Sequence, residues 1–307
     1  MEKTMSAPIT YEQGNLSDNH DVFLLFEETL ADFVQRLGFA GATSWGDNEK
    51  LEKMWQQRRP LFEHITHTKD QFWLARQNNQ IVGYARTTMR DGTQELTEFF
   101  VKPGIQSGGV GRGLIERAFP QEGAERRIII ATADFRAQAL YLKSGVFPRF
   151  PIYYFGREPE QVPFASDLQF VPLVNHAETI STLAAIDKET IGFRRDADQQ
   201  WFLANRRGYL YVRDGRPAGY GYVGENSGPF ALLDATDFPA VLAHAESTAQ
   251  AEGLKRFGVE VPTVNETAVS YLLSRNFKLD VFIAMFMSDR PFGNFDRYII
   301  TSPPFFL

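Results

Sequence analysis

One order of short strands, hairpin turns and amphipathic helices occurs twice along this chain of 307 residues. In the first half, strands with turns at 78–79 and 91–92 precede a run that alternates helices and strands. In the second half, a hairpin that turns at 214–215 precedes the same kind of run. A chain of this length suits two domains of about 150 residues each. The sequence therefore predicts an α/β fold (α+β, with mixed sheets) of two tandem domains, 1–157 and 158–307.

The spacing of the apolar residues along the chain predicts the individual helices and strands. Apolar residues at three- and four-residue steps predict helices, and short β-branched and aromatic runs between turn residues predict strands. The predicted helices are 22–37 with a cap at Asp18 or Asn19, 48–62, a helix from the glycine-rich loop to 119, 135–144, 177–187, 238–252 and 266–275. The predicted strands are 71–77, 81–90, 94–101, 127–133, 148–157, 169–174, the hairpin 209–223, 230–233, 256–261 and 279–287.

Charge and composition exclude several classes of function. The net charge of −6 disfavours a protein that binds the nucleic-acid backbone, because that affinity comes from an excess of Lys and Arg. The absence of cysteine excludes disulfides, thiolate nucleophiles and cysteine metal ligands. His64 and His67 have no nearby His or Cys to complete a metal site, and no apolar run reaches the roughly 18 residues of a membrane span. We therefore expect a cytoplasmic protein with no metal, nucleic-acid or membrane partner.

A glycine-rich segment at 104–111 lies between a predicted strand and a predicted helix. Backbone N–H groups at such a position point in one direction beside the positive end of the helix dipole, which favours a phosphate ligand. A side chain at Gly109 or Gly111 would hinder the approach of the anion and disfavour a positive φ. A P-loop would need Lys followed by Ser or Thr after the glycine, and a dinucleotide fingerprint would need glycine where Leu114 stands. The spacing disfavours both alternatives.

The segment resembles the acetyl-CoA pyrophosphate loop of the GNAT superfamily of N-acetyltransferases. The matching residues are Gln106-x-x-Gly109-x-Gly111-Arg112. The resemblance implies acetyl-CoA as the acyl donor and two tandem GNAT-like domains, each with a twisted mixed sheet flanked by helices. The residues that it implies for the cofactor are Phe100, Val101, Gln106, Ser107, Gly108, Gly109, Val110, Gly111, Arg112, Asp134 and Ala137.

A second motif begins at Asp134. Asp134, Ala137 and Tyr141, followed by Gly145-Val146, are similar to the second GNAT motif. Members of the superfamily usually carry Asn where Asp134 stands and Phe where Val146 stands. Neither departure removes the tyrosine, so the match supports the first domain as the one that binds the cofactor.

Transfer of an acyl group from a thioester to an amine requires an unprotonated amine, donors to the developing oxyanion and a proton for the departing thiolate. The resemblance implies a backbone N–H near Phe100 or Val101 as the donor to the acyl carbonyl, and Tyr141 as the proton donor. A phenol with a pKa of about 10 is protonated at neutral pH. Glu98, on the strand that enters the loop, is a candidate to take the amine proton through water. Glu95 competes for that role, and a solvent-facing strand glutamate is an equally good interpretation of Glu98.

The second half keeps one motif and lacks the other. Asn265 and Ala268 are similar to the start of the second motif, but Leu272 stands in place of the tyrosine. No glycine loop precedes the helix at 238. Asp237 or Thr236 would cap that helix, and the two carboxylates of the segment 234–239 would repel a pyrophosphate. We therefore expect acyl-CoA in the first domain only, with a second domain that shapes the substrate pocket or braces the first.

Together these residues predict an N-acyltransferase that moves an acetyl group from acetyl-CoA to an amine by direct transfer in a ternary complex. The expected acceptor is a small-molecule amine. A protein or peptide N-acetyltransferase and a non-enzymatic acyl-CoA sensor remain open alternatives. An NAD-dependent oxidoreductase is disfavoured by the loop spacing. Acyl-chain preference and oligomeric state leave no mark on the sequence.

Overall fold

The computed structural model describes residues 7–38, 44–105, 109–225, 227–301 and 307. Its helices are α1 (Asn19–Arg36), α2 (Asn48–His67), α3 (Val110–Ala118), α4 (Phe135–Lys143), α5 (Ala177–Thr190), α6 (Asp196–Asn205), α7 (Phe238–Ala251) and α8 (Glu266–Ser274). Its strands are β1 (Thr10–Gln13), β2 (Lys69–Gln77), β3 (Gln80–Arg90), β4 (Thr93–Val101), β5 (Arg126–Thr132), β6 (Phe147–Arg157), β7 (Gln169–Pro172), β8 (Arg207–Arg213), β9 (Arg216–Val223), β10 (Phe230–Leu232), β11 (Phe257–Pro262), β12 (Lys278–Ser288) and β13 (Tyr298–Ile299). No helix in the described ranges is long and apolar enough to cross a membrane.

The three predicted hairpin turns are confirmed. β2 and β3 pair antiparallel through a turn at Asn78 (φ 51°) and Asn79 (φ 62°). Positive φ at both central residues gives the turn a twist that matches the strands, and Asn, Asp and Gly tolerate that conformation best. The turns at 91–92 and 214–215 also have positive φ at both positions.

The structure separates into two compact units. The ranges of the N-terminal unit are Met1–Met89, Thr93–Arg127 and Asp134–Val146, and those of the C-terminal unit are Arg90–Gly92, Ile128–Ala133 and Phe147–Leu307. Most of β5 and all of β6, which belong to the first sequence repeat, are therefore part of the C-terminal unit. The compact units thus do not follow the predicted division into 1–157 and 158–307, which stays a prediction about the sequence repeats.

In the N-terminal unit four strands lie side by side in the order β1-β2-β3-β4. Side chains alternate between the two faces of a sheet along each strand. On one face, α1 and α2 share a buried core that includes Phe23, Phe62 and Phe72. On the other face, α3 lies close to β3, since a Cβ at Gly83 would be 3.0 Å from the Cδ1 of Leu114. Successive side chains of β4 therefore face α1 and α2 on one side of the sheet and α3 on the other.

The C-terminal unit contains two sets of paired strands. In the first, the order is β5-β12-β6-β11 and neighbouring strands are antiparallel. β12 lies between β5 and β6, so that Phe286 is opposite both Ile130 and Phe150. The second sheet has the order β13-β10-β9-β8-β7. A buried core that includes Phe230 and Val241 packs the helix α7 against these strands.

Candidate functional site

The first turn of α3 is the described part of the predicted loop, because Gln106, Ser107 and Gly108 lie outside the described residues. The helical hydrogen bonds begin with the N–H of Gly113, which donates to the carbonyl oxygen of Gly109 at 3.1 Å. The N–H groups of residues 110–112 therefore have no partner within the helix. No described side chain caps this end, and its first turn contains no acidic residue. The end of α3 is thus available to an anion.

Two glycines shape this end of α3 for different reasons. Gly109 has a φ of 79°, a left-handed conformation that other residues rarely adopt, and a Cβ there would meet no described atom within 4 Å. Gly111 is helical, and a Cβ there would be 3.1 Å from the Cζ of Phe99 and 3.2 Å from the Cδ1 of Leu140. The predicted need for a positive φ therefore holds at Gly109, whereas at Gly111 the constraint is close packing.

Arg112 brings a positive charge to the same end of the helix. Its side chain is exposed and forms no ion pair or hydrogen bond with a described residue. Val110 is 1% exposed and anchors the helix in the core. Lys102, which follows β4, lies 3.5 Å from the carboxylate of Glu28 and is partly neutralised by it. Val110 and Arg112 were both predicted to contact the cofactor. In the structure the side chain of Val110 supports the helix, and that of Arg112 is exposed and available to an anion.

Tyr141 lies on α4 with 6% of its surface exposed. Its ring meets the ring of Phe99 edge to face, with centroids 5.9 Å apart. Its hydroxyl has no hydrogen-bond partner among the described residues. Burial, with a smaller contribution from the charge of Asp134, raises the pKa of the Tyr141 phenol above its usual value of 10.0. The hydroxyl therefore carries its proton at neutral pH and can act as a donor.

Asp134 holds the start of α4. Its carboxylate accepts from the backbone N–H of Arg136 at 2.9 Å and from the guanidinium of Arg36 at 2.8 Å. Burial opposes the charged form, but the hydrogen bonds from Arg136 and Arg36 outweigh it and keep the pKa of the Asp134 carboxyl below its usual value. Ala137 follows, half-buried, in α4. The contacts of Asp134 give it a capping role, and cofactor contacts by these two residues stay predictions.

Glu98 and the predicted proton donor lie on opposite sides of β4. Because side chains alternate along the strand, Phe99 faces α3 and α4, whereas Glu98 faces α1 and α2. There the Glu98 carboxylate accepts from the hydroxyl of Tyr84 at 2.9 Å and from the guanidinium of Arg86. The side chains of Glu98 and Arg86 are both 0% exposed. A sealed carboxylate with both oxygens bonded is not placed to take a proton from an entering amine, and Glu95, the alternative, is also buried.

The end of β4 contains Phe100 and Val101, which the resemblance implies as donors to the acyl carbonyl. The ring of Phe100 packs against the rings of Phe26 and Tyr84, with centroids 5.0 Å and 5.6 Å away. Val101 is buried. These contacts hold the strand in place up to its last residue. The role of the two backbone N–H groups stays a prediction.

The start of α7, which corresponds to that of α3 in the second repeat, differs in its chemistry. Asp234 caps a short 3-10 helix before α7 by accepting from the N–H of Thr236 at 2.9 Å. The prediction that the side chain of Asp237 or Thr236 caps α7 is wrong. Asp237 stands at the start of α7, but its carboxylate pairs with the guanidinium of Arg213, and the hydroxyl of Thr236 donates to Asp234. Pro239 in the first turn removes a backbone donor. An anion at the start of α7 would therefore meet fewer backbone N–H donors than at the start of α3, and it would also meet the carboxylates of Asp234 and Asp237.

In the second repeat, the counterpart of the second motif still caps its helix, α8. Asn265 caps α8 through a side-chain oxygen that accepts from the N–H of Ala268 at 3.0 Å, just as Asp134 caps α4. Leu272, in place of Tyr141, is 0% exposed and has no hydroxyl to donate. The second repeat thus retains the helix cap and lacks the proton donor.

Two features of the site were not predicted from the sequence. Phe99 contacts both the first turn of α3 and Tyr141, and Arg86 holds the carboxylate of Glu98. Neither residue belongs to a motif, but the alternation along β4 already places Glu98 and Phe99 on opposite faces. Among the residues that the structure describes, no group of His, Asp and Glu is arranged to hold a metal ion.

Comparisons with known proteins agree with this geometry. Residues 68–145 match the acetyltransferase (GNAT) domain family. A provisionally assigned acetyltransferase from Pyrococcus horikoshii is 16% identical, with a TM-score of 0.70 over 97% of this chain and 96% of that chain. A GCN5-related N-acetyltransferase from Sphaerobacter thermophilus is 14% identical, with a TM-score of 0.61 over 93% and 98% of the two chains.

A third structure bears on the repeat. The tandem GNAT protein from the clavulanic acid biosynthesis pathway is 13% identical, with a TM-score of 0.57 over 93% of this chain and 100% of that chain. No curated protein sequence matches the chain. At such identities the likeness is one of fold, and it confirms the predicted α/β class with mixed sheets flanked by helices in a tandem arrangement.

Proposed function

From the match of residues 68–145 to the acetyltransferase (GNAT) domain family, we propose that this chain is a GNAT acyltransferase, which transfers an acetyl group from acetyl-CoA to a small-molecule amine. The observation that carries the proposal is the start of α3, which no described side chain caps and which lies next to the ring of Phe99 on which Tyr141 packs. The chain has no cysteine to form an acyl-enzyme thioester. We therefore propose direct transfer within a ternary complex.

The start of α3 fits the phosphates of the acyl donor. The N–H groups of residues 110–112 and the guanidinium of Arg112 would bind them, and the missing Cβ at Gly109 leaves the approach open. Acetyl-CoA, when bound, supplies an activated thioester carbonyl. The N–H groups of Phe100 and Val101 are our proposed donors to the oxygen of that carbonyl.

Tyr141 is our proposed proton donor to the departing thiolate. In water a thiol with a pKa of about 8.5 is a stronger acid than a phenol, so proton transfer from Tyr141 would run uphill. Burial raises the pKa of the Tyr141 phenol and that of a thiol beside it in the same sense, so it does not by itself remove this difference. What the phenol would supply is a proton held within reach of the thiolate as the thiolate forms.

For the acceptor we propose that the amine loses its proton to solvent before the transfer. The carboxylate of Glu98 is sealed in its pair with Arg86, and Glu95 is buried. An amine in its neutral form needs no base in the site. We further propose that the C-terminal unit binds no acyl-CoA, because of the carboxylates and the proline at the start of α7.

Calorimetric titration with acetyl-CoA tests the donor site. We expect one site per chain and its loss in Gly109→Glu, because a carboxylate would occupy the space in which the phosphates bind. Gly123→Glu is the matched control. Gly123 lies in the same unit, also has a positive φ (96°) and also has open space around it, but it follows α3 instead of preceding it. The control therefore brings the same charge and the same backbone strain without blocking the site.

Binding that is lost in Gly109→Glu and retained in Gly123→Glu supports the assignment, whereas two sites per chain would contradict the proposal for the C-terminal unit. Turnover is then measured by release of CoA with a panel of primary amines. Tyr141→Phe should lower kcat by about 10²–10⁴-fold while acetyl-CoA still binds. Binding without CoA release for any amine would favour a sensor, and release only with peptides would favour a protein or peptide acceptor.

A further inference from the structure

Phe99 occupies the space between the two parts of the site. A Cβ at Gly111, in the first turn of α3, would lie 3.1 Å from its Cζ and 3.8 Å from its Cε2. On the other side, its ring meets that of Tyr141 at 5.9 Å with an interplanar angle of 67°. One side chain of β4 therefore contacts both the helix end that fits phosphates and the helix that carries the phenol.

The position of the Tyr141 hydroxyl depends on packing. No described residue donates to it or accepts from it, so no hydrogen bond to that part of the chain holds it in place. The chain neighbour Leu140 also packs on Gly111, with its Cδ1 3.2 Å from the Cβ position. A shift of the Phe99 ring would thus move the phenol relative to α3 without breaking a hydrogen bond.

We propose that Phe99 is a positioning residue, which sets the distance between the first turn of α3 and the hydroxyl of Tyr141. The inference rests on the proposed function, because it takes α3 to hold the donor's phosphates and Tyr141 to protonate its thiolate. In a donor anchored at its phosphates, the length of the pantetheine arm sets how far from α3 the sulfur can lie. The phenol must lie where the sulfur arrives, and the edge of the Phe99 ring sets the position of the phenol.

Phe99→Leu is the first test. Leucine keeps an apolar side chain next to Gly111 but lacks the ring edge that Tyr141 meets. Misplacement of a catalytic group by about 1 Å costs up to about 100-fold in rate, so we expect kcat to fall by about 10- to 100-fold. The KM for acetyl-CoA should stay within about twofold, because the N–H groups of α3 are unchanged. Gly111→Ala, which pushes on the same ring from the other side, should act in the same direction.

Phe119→Leu is the matched control. Phe119 is in the same unit at the other end of α3, is 1% exposed, and stacks on Arg127 instead of Tyr141. Its truncation removes a more deeply buried ring than the truncation of Phe99 does. It should therefore lower the melting temperature at least as much while it leaves kcat within about twofold.

Two readouts separate positioning from general damage. In a double-mutant cycle, the kcat losses of Phe99→Leu and Tyr141→Phe should not multiply, because without the phenol there is nothing left to position. A selenoester analogue of acetyl-CoA has a leaving group that is a weaker base than a thiolate and needs less help from an acid. With that donor the kcat loss in Phe99→Leu should shrink by at least about fivefold.

The outcomes distinguish the inference from the proposed function. If Tyr141→Phe leaves kcat unchanged, the proposed role of the phenol fails and the inference fails with it. If Tyr141→Phe lowers kcat and Phe99→Leu does not, the inference alone is overturned. Losses that multiply in the cycle, or that are equal for the thioester and the selenoester, overturn it as well.

Discussion

Loss of the guanidinium of Arg86 should be among the most costly single changes in the N-terminal unit. Arg86 is 0% exposed and pairs with Glu98, which is also 0% exposed. It donates to the side-chain oxygen of Asn19 at 2.9 Å and to the carbonyl oxygen of Phe62 at 3.3 Å, as well as to the hydroxyl of Thr66. It thus connects β3 to β4, α1 and α2.

In Arg86→Met the Glu98 carboxylate stays buried with only the Tyr84 hydroxyl to solvate it. Removing one partner of a buried pair costs about 3–5 kcal/mol, because the other charge is left uncompensated. The matched control is Arg59→Met, which breaks a pair of similar geometry (2.7 Å to Glu63) with side chains 54% and 40% exposed. Exposed pairs of this spacing contribute about 0.3–0.5 kcal/mol.

The assay is urea unfolding of both variants, followed by tryptophan fluorescence, to which Trp55 in the same core contributes. Free energies of unfolding are compared at matched m-values. An Arg86→Met cost below about 1 kcal/mol, close to that of Arg59→Met, would refute the reasoning. A second variant, Glu98→Gln, should lower stability while the folded protein keeps its kcat. A large loss of kcat in Glu98→Gln at unchanged stability would return Glu98 to the role of general base.

Two further predictions concern other parts of the structure. Gly113→Ala should destabilise the N-terminal unit by about 1–3 kcal/mol, because the new Cβ would be 2.2 Å from the hydroxyl oxygen of Tyr11, and Tyr11→Ala should suppress the effect in urea unfolding. A cost that Tyr11→Ala does not relieve would contradict this. In the C-terminal unit, the ring of His244 stacks on Phe170 at 4.2 Å, and burial lowers its pKa. The unfolded chain therefore takes up the proton first, so stability should fall as pH drops below about 6.5, and less steeply in His244→Phe. Equal slopes in the two proteins would count against a buried neutral His244.

Local chemistry made much of the fold predictable. The hairpin turns followed from Asn, Asp and Gly at positions that require a positive φ, and α1 followed from its apolar period. α2 continues to His67, five residues beyond the predicted end, with Pro60 inside it. The strand β1 and the helix α6 were missed, since β1 has four residues that are mostly exposed and α6 opens with a run of polar residues. Such elements are held by their neighbours and carry little signal of their own.

The site shows the same limit. The glycine loop and Tyr141 could be proposed as site residues because each belongs to a motif read along the chain, and their roles stay predictions. The partners of Glu98 could not, since Tyr84 and Arg86 lie on another strand. Arg86 is itself held by Asn19, on a helix far away in sequence. A glutamate in an alternating strand is compatible with either face until its neighbours are known. The capping role of Asp237 failed for a similar reason, because Arg213 comes from the end of β8.

The position of β12 between β5 and β6 has a consequence for protein synthesis. Ile130 leaves the ribosome long before Phe286, which lies opposite it in the sheet. At about 5–20 residues per second, the gap of some 150 residues takes roughly 8–30 s to translate. During that time β5 and β6 have emerged without the strand that separates them, and unpaired edges invite wrong partners. We expect the nascent chain to depend on chaperones until its last fifth has been made.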